Sequence, residues 1–272
     1  MESITFLRNE CSDLRQIIRF LQTDSPAWQQ WMEQTRASFD TQWEALPEGD
    51  FLATDPKFIA QMSALIESYT GLPRAWFGGK CILDAGCGNG RWSYALSALG
   101  AKVTAVDQSE HGLKAARELC ASFPDFQAQQ ANLLQALPFA ADSFDMLWSF
   151  GVLHHTGNTY GAFQHLAPLV KSGGVIFLML YGEPLEAGQF QEINAYTLHR
   201  RAVSGMDFKE KIAYCREHFP PEAVHGWFDA ISPAINDLYR FDEIRDWLLM
   251  AGYTDIVRTF ENRNLFMTAR KK

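Results

Sequence analysis

An α/β protein built on a mostly parallel sheet is the fold that this sequence predicts, and three observations predict it. Short runs at 81–83, 102–106, 146–150 and 174–180 are apolar, β-prone and too short for helices. They alternate with segments at helical spacing, 91–99 and 110–121 among them, which is the pattern of successive βαβ units. The first run ends in Asp84 and three alternating glycines, Gly86, Gly88 and Gly90, after which Arg91 opens a helix. A strand, glycine turn and helix in that order let a ligand lie against the backbone and face the first helical amides.

The chain has 272 residues, enough to bury a sizeable core as one main domain with an accessory element. Apolar residues at 47% and charged residues at 21% leave no room for a long disordered tract. A net charge of -8 argues against a nucleic-acid or anionic membrane partner and favours a small or uncharged substrate. Cys11, Cys81, Cys87, Cys120 and Cys215 form no C-x-x-C pair, so neither a zinc site nor a disulfide framework is expected. Glu2, Glu10 and Asp13 stand where a signal sequence would be apolar, and no apolar run reaches a membrane span. Reduced thiols in a cytoplasmic protein are the expectation.

Residues 4–22 have apolar positions at helical intervals, and Ser25-Pro26 is a second helix start, leading through Trp28, Trp31 and Phe39 to Gln42 and Trp43. A third helix is expected over 55–69, stopped by Gly71 and Pro73. No flexible linker separates these helices from Lys80. Residues 1–79 therefore read as a helical cap on a domain of residues 80–272.

The glycine turn discriminates among ligands. Gly90 is followed by Arg91-Trp92 rather than Lys-Ser or Lys-Thr, which excludes a P-loop, and G-x-G-x-G is not the dinucleotide spacing. Asp84-x-Gly86-x-Gly88-x-Gly90 resembles the first motif of the class I S-adenosylmethionine-dependent methyltransferases. The resemblance implies a doubly wound, Rossmann-like sheet and S-adenosylmethionine as cofactor. It also implies that Asp84, Ala85, Gly86, Cys87, Gly88 and Gly90 form the loop against the methionine part. Asp107 ends the second strand 21 residues beyond Gly86, where a nucleotide-binding βαβ unit places its ribose acid, and Gln108 adjoins the adenosine region. Ser109 is the better helix cap.

Further along, Asn132-Leu133, then Leu137-Pro138-Phe139 and Ser143-Phe144-Asp145, resemble the family's adenine-side block, with Asn132 where the family has an Asp. Asn still hydrogen-bonds an adenine ring but carries no charge. Phe150 ends the fourth strand at the sheet edge where such folds bind ligands. Leu153-His154-His155-Thr156 and the later Leu169-Val170-Lys171-Ser172-Gly173-Gly174 resemble the broad branch that includes the ubiquinone-biosynthesis C-methyltransferases. The matches run in order from Leu83 to Tyr181. His154 and His155 are the catalytic candidates, since histidine is the usual base near neutral pH, with packing in the turn as the alternative. No metal-ligand spacing accompanies them. The F-x-x-Q-W pattern at Phe39, Gln42 and Trp43 resembles an entry segment that folds over the cofactor in some relatives, while aromatic core packing is the plainer account.

Residues 182–240 interrupt the sheet with a long insertion, read as a lid that sets substrate choice. Helices are expected around Ile193 and over 208–219, the latter stopped by Pro220-Pro221, with Arg200 and Arg201 on a solvated face rather than on an anionic substrate. The stretch 225–239 resembles a D-x-x-S-P-x-x-N segment of some bacterial methyltransferases, which makes Asp229, Asn236 and Tyr239 substrate-side candidates. A helix over 241–251 and a closing hairpin complete a seven-stranded sheet with one reversed strand, as the resemblance implies.

The function expected is methyl transfer to an O or C nucleophile of a small molecule, because the Asn/Asp-Pro-Pro-aromatic signature of N-methylation is absent: Ser149-Phe150-Gly151-Val152 stands there. A transferase acting on tRNA or another macromolecule, and a non-catalytic cofactor-binding protein, are the alternatives. Oligomeric state is not legible in these residues.

Overall fold

The protein is described by a computed structural model covering Leu14, residues 25–46 and residues 55–272. The helix expected over 4–22 lies, apart from Leu14, outside the described residues. Helix α1, Pro26–Ala45, is capped by Ser25, whose side chain accepts from the Trp28 amide, and Pro26 supplies a φ already suited to a first turn. Helix α2, Pro56–Thr70, starts at the Asp55 cap and ends at Gly71, which takes the left-handed conformation that glycine adopts without strain.

Seven strands follow: β1 Cys81–Ala85, β2 Lys102–Asp107, β3 Gln127–Gln130, β4 Phe144–Phe150, β5 Val170–Leu180, β6 Tyr253–Glu261 and β7 Leu265–Lys271. They form one sheet in the order β3-β2-β1-β4-β5-β7-β6, with β7 antiparallel to both neighbours. Helices α3 (Arg91–Ala98), α4 (Glu110–Leu119) and α5 (Thr159–Leu166) provide the parallel crossovers, and α9 (Phe241–Met250) leads into β6. The Rossmann-like sheet with one reversed strand is as the sequence implied.

Alternation along the central strands feeds two cores. Leu83, Leu147, Ile176 and Leu178 join one apolar cluster, while Ile82, Met146, Trp148 and Phe177 join the other. Burial on both faces explains why these strands read as continuous apolar runs. Strands are added outward from β1 through β2 to β3 on one side and through β4 to β5 on the other, all parallel. The order thus reverses between β1 and β4, and the crevice outside the carboxyl ends of that pair is the position where doubly wound sheets bind ligands.

The insertion between β5 and α9 folds into α6 (Ala187–Ala202), α7 (Phe208–His218) and α8 (Pro221–Ile231) around a small core containing Leu46, Ile212, Phe228 and Ile231. Helix α8 is absent from the sequence reading: Pro220-Pro221 is a stop for α7, yet Pro221 also opens the next helix, where its missing amide costs nothing. Arg200 departs from the expected solvated face. Its guanidinium donates to the carbonyls of Ala230, Pro233 and Ala234 at 2.8–3.0 Å and ties α6 to the segment after α8.

Candidate active site

The glycine loop follows from β1. Gly86, Gly88 and Gly90 all have positive φ, and the Gly86 and Cys87 amides donate to the Val106 carbonyl of β2. A Cβ on Gly86 would overlap Val152, one on Gly88 would overlap the Trp43 ring, and one on Gly90 would come within 2.6 Å of the Ala116 Cβ in α4. The first two glycines thus keep space at the crevice and the third lets α3 and α4 approach.

A cavity of about 580 Å³ opens above this loop. Of the residues singled out from sequence, Gly86, Cys87, Gly88, Asp107, Gln108, Asn132, Leu133, Phe150, Trp43, His155 and Asp229 line it. Asp84, Ala85, Gly90, Gln42, His154, Asn236 and Tyr239 do not. Asp84 is buried beneath the loop, accepting from Ser93 Oγ at 2.6 Å, and burial pushes its carboxyl up to about 7. Gln42 reaches the cavity only through His225, to which its amide donates at 2.9 Å. Tyr239 is buried in the larger sheet core, and Asn236 donates to the Ala230 carbonyl at 3.0 Å.

Asp107 stands at the end of β2 with its two oxygens accepting the Gly88 and Ser109 amides at 2.9 and 2.8 Å. Burial raises its carboxyl, and the same amides oppose the rise. Each oxygen keeps a second acceptor direction for a ligand. Arg91, missed in the sequence, lines the cavity at the start of α3. Among the described residues no carboxylate lies within ion-pair distance of its guanidinium, and burial lowers its pKa while Asp229 opposes that. Its signal was positional: a cation directly after a buried glycine turn rarely lies on solvent alone.

The two histidines separate cleanly. They occupy a 3₁₀ turn, Leu153–His155, beyond β4. His155 Nδ1 lies 2.9 Å from the Ile235 carbonyl, which only accepts, so Nδ1 carries the hydrogen. Burial lowers the pKa of the ring, so it is neutral near pH 7, and its Nε2 lone pair is buried with no protein partner. His154 is turned the other way: its Nδ1 accepts the Tyr181 amide at 3.4 Å and its ring packs 3.9 Å from the Tyr181 ring. Tyr181, also unmarked in the sequence, lines the cavity and donates its hydroxyl to Asp229 at 2.9 Å.

The roof comes from two distant parts of the chain. Helix α1 lays Trp43 over Gly88, Asp40 accepts from the Ser109 hydroxyl at 2.6 Å, and Trp28 donates to the Gly157 carbonyl. On its other side Ser38 donates to Ser232 at 2.7 Å, and Thr35 accepts the Ile235 amide at 3.0 Å. Among the described residues there is no cluster of metal-ligating side chains, and no helix is long and apolar enough to cross a membrane.

Comparison with known proteins agrees with this architecture. Residues 83–178 match the sequence profile of a methyltransferase domain. The chain is 32% identical over 155 residues to a ubiquinone biosynthesis O-methyltransferase of Caulobacter vibrioides, covering 56% of this chain and 62% of that one. It is 29% identical over 185 residues to the Methylocella silvestris protein of the same name, covering 64% and 65%. Both matches span less than two thirds of the relative's length. An O-methyltransferase family protein from Burkholderia thailandensis shares the fold at a TM-score of 0.55 and 14% identity, over 84% of this chain and 64% of that one. The crevice, the strand order and the match across its centre agree: residues 83–178, at the middle of the Rossmann-like sheet, are similar to a methyltransferase domain.

Proposed function

We propose that the protein transfers a methyl group from S-adenosylmethionine to a hydroxyl oxygen of a small-molecule acceptor, with His155 as the base. The observation that carries this reading is the fixed tautomer of His155, a neutral ring with its Nε2 lone pair buried at the cavity. A base of that kind takes the hydroxyl proton as the oxygen forms its new bond to carbon. The name O-methyltransferase borne by both relatives supports oxygen over carbon. A cavity of about 580 Å³ is of the size that takes small molecules.

The residues present fit the cofactor. When bound, it supplies a methyl group that the sulfonium makes electrophilic. The loop at Gly86–Gly88, cleared of side chains, would hold its methionine part, with Arg91 facing the carboxylate. Asp107 would take the ribose hydroxyls, and Gln108, Asn132 and Leu133 the adenosine side. Orientation and exclusion of water then fall to Trp43, Phe150 and Tyr181 around the acceptor. In this reading residues 1–79 act as a cap, 80–272 as the transferase domain, and 182–240 as a lid.

Titration calorimetry with S-adenosylhomocysteine and, separately, NAD tests the cofactor. Micromolar binding of the former, lost in Asp107→Ala, is expected; binding of NAD alone would overturn the reading.

A further inference from the structure

A second cavity of about 410 Å³ lies beside the first, and Tyr181 and Gly226 line both. Tyr181 is held fast between them. Its hydroxyl donates to Asp229, its amide to His154, and its ring packs against the His154 ring. Gly226 is the other residue that the two cavities share.

Glycine at that position has no structural requirement behind it. Gly226 sits inside α8, where alanine is the better helix former, and its φ is not among the positive ones. A Cβ built there meets nothing within 4 Å. A side chain there would enter open space beside a wall that the two cavities share.

The walls of the second cavity specify an occupant. Asn236 has its amide nitrogen committed to the Ala230 carbonyl, which leaves Oδ1 buried with no donor, and Asn264 Oδ1 is likewise buried and unmatched. Two buried acceptors ask for two donors. The Arg263 guanidinium lies 5.8 and 6.0 Å from the Tyr181 and Tyr196 rings and is neutralised by Glu192 at 3.3 Å. Arg200 spends donors on three backbone carbonyls. Arg263 is thus paired with a carboxylate and Arg200 has its donors occupied, and ring faces with unmatched acceptors remain.

We infer that the second cavity is a subsite for the far end of the methyl acceptor, a neutral, ring-bearing group that donates hydrogen bonds through hydroxyl or N–H, and that Gly226 is the passage joining it to the methylation site. The inference rests on the methyltransferase reading above. It gives the acceptor two parts: a hydroxyl beside His155 and a second polar ring past Gly226.

The test is equilibrium binding of two probes to the full chain saturated with S-adenosylhomocysteine: phenol, and bis(4-hydroxyphenyl)methane, which carries two hydroxylated rings hinged at one carbon. The two-ring probe should bind about tenfold or more tighter, the gain that burying one further ring in a preformed cavity brings. Gly226→Leu should erase that margin and leave phenol affinity in place. Gly226→Ala, which should raise the melting temperature, gives a folded variant with a reduced margin. Asn236→Ala should weaken the two-ring probe alone. Equal affinities in the wild type, or a margin kept by both glycine variants, would overturn the subsite. Failure of S-adenosylhomocysteine itself to bind, measured without either probe, would instead strike the methyltransferase reading.

Discussion

The floor and the roof of the cavity are built by different means. The floor is backbone: glycines at positive φ, strand ends in register, and amides donating to Asp107 from 19 and 2 residues away. The roof is side chain: Thr35, Ser38 and Gln42 of α1 hydrogen-bond to residues 183 to 200 positions away. A backbone-built floor tolerates few substitutions but forms locally, whereas a roof of single hydrogen bonds is adjustable and only modestly stable. His155 stands where the two meet, since its turn belongs to the floor and the carbonyl that fixes its tautomer belongs to the roof.

That junction gives the largest expected effect. His155→Gln should lower kcat by about 10²–10⁴-fold with S-adenosylhomocysteine affinity retained, while His154→Gln should act mainly on stability, as steady-state kinetics and thermal melts will show. In the wild type the acidic limb of the rate profile should lie below the usual histidine range, because burial lowers the His155 pKa and keeps the base neutral to lower pH.

Next in size is a substitution confined to the floor. Gly90→Ala forces a methyl against Ala116 at positive φ and should destabilise the whole domain by about 2–3 kcal/mol, read as a shift of the denaturant midpoint. A roof substitution should behave otherwise. Ser38→Ala and Ser232→Ala should show a coupling of about 1 kcal/mol in a double-mutant cycle, with faster hydrogen exchange over 26–45 and little change at the central strands. A roof that melted only together with the sheet would remove the distinction.

A separate effect, on the floor alone, is a pH slope. The Asp84 carboxyl is raised to about 7 in the folded protein, so the native state holds a proton that the unfolded chain releases near 4. The stability tied to that proton is fully present below about pH 4 and lost as pH rises through about 7. Asp84→Asn should flatten the pH dependence of stability over that window in urea titrations.

These differences also explain what could be read from the sequence. The parallel strands and the loop were legible because glycine spacing, strand-end acids and apolar runs act over short distances, whereas the reversed strand was implied by the family resemblance. Asp107 was placed by counting along one βαβ unit. The tautomer of His155 was not legible, since it is set by the Ile235 carbonyl, 80 residues on. Tyr239 looks polar enough for a site but is core, while Asn236 lines the second cavity rather than the one above the glycine loop. Arg91 and Tyr181 acquire their meaning only from what surrounds them. Helix α8 was hidden because a proline pair stops one helix and starts another with the same residues.

The span of the roof contacts bears on how the protein is made. During synthesis α1 emerges early, whereas its partners Ser232, Ala234 and Ile235 are added about 200 residues later. At translation rates of about 5–20 residues per second that is a wait of roughly 10–40 s. Strands β1 to β5 can pair in the meantime, but helix α1 lacks its hydrogen bonds to Ser232, Ala234 and Ile235. The nascent protein therefore carries a loosely held helix beside an open crevice until Ser232 to Ile235 have been added, and the ligand-binding chamber closes only after them.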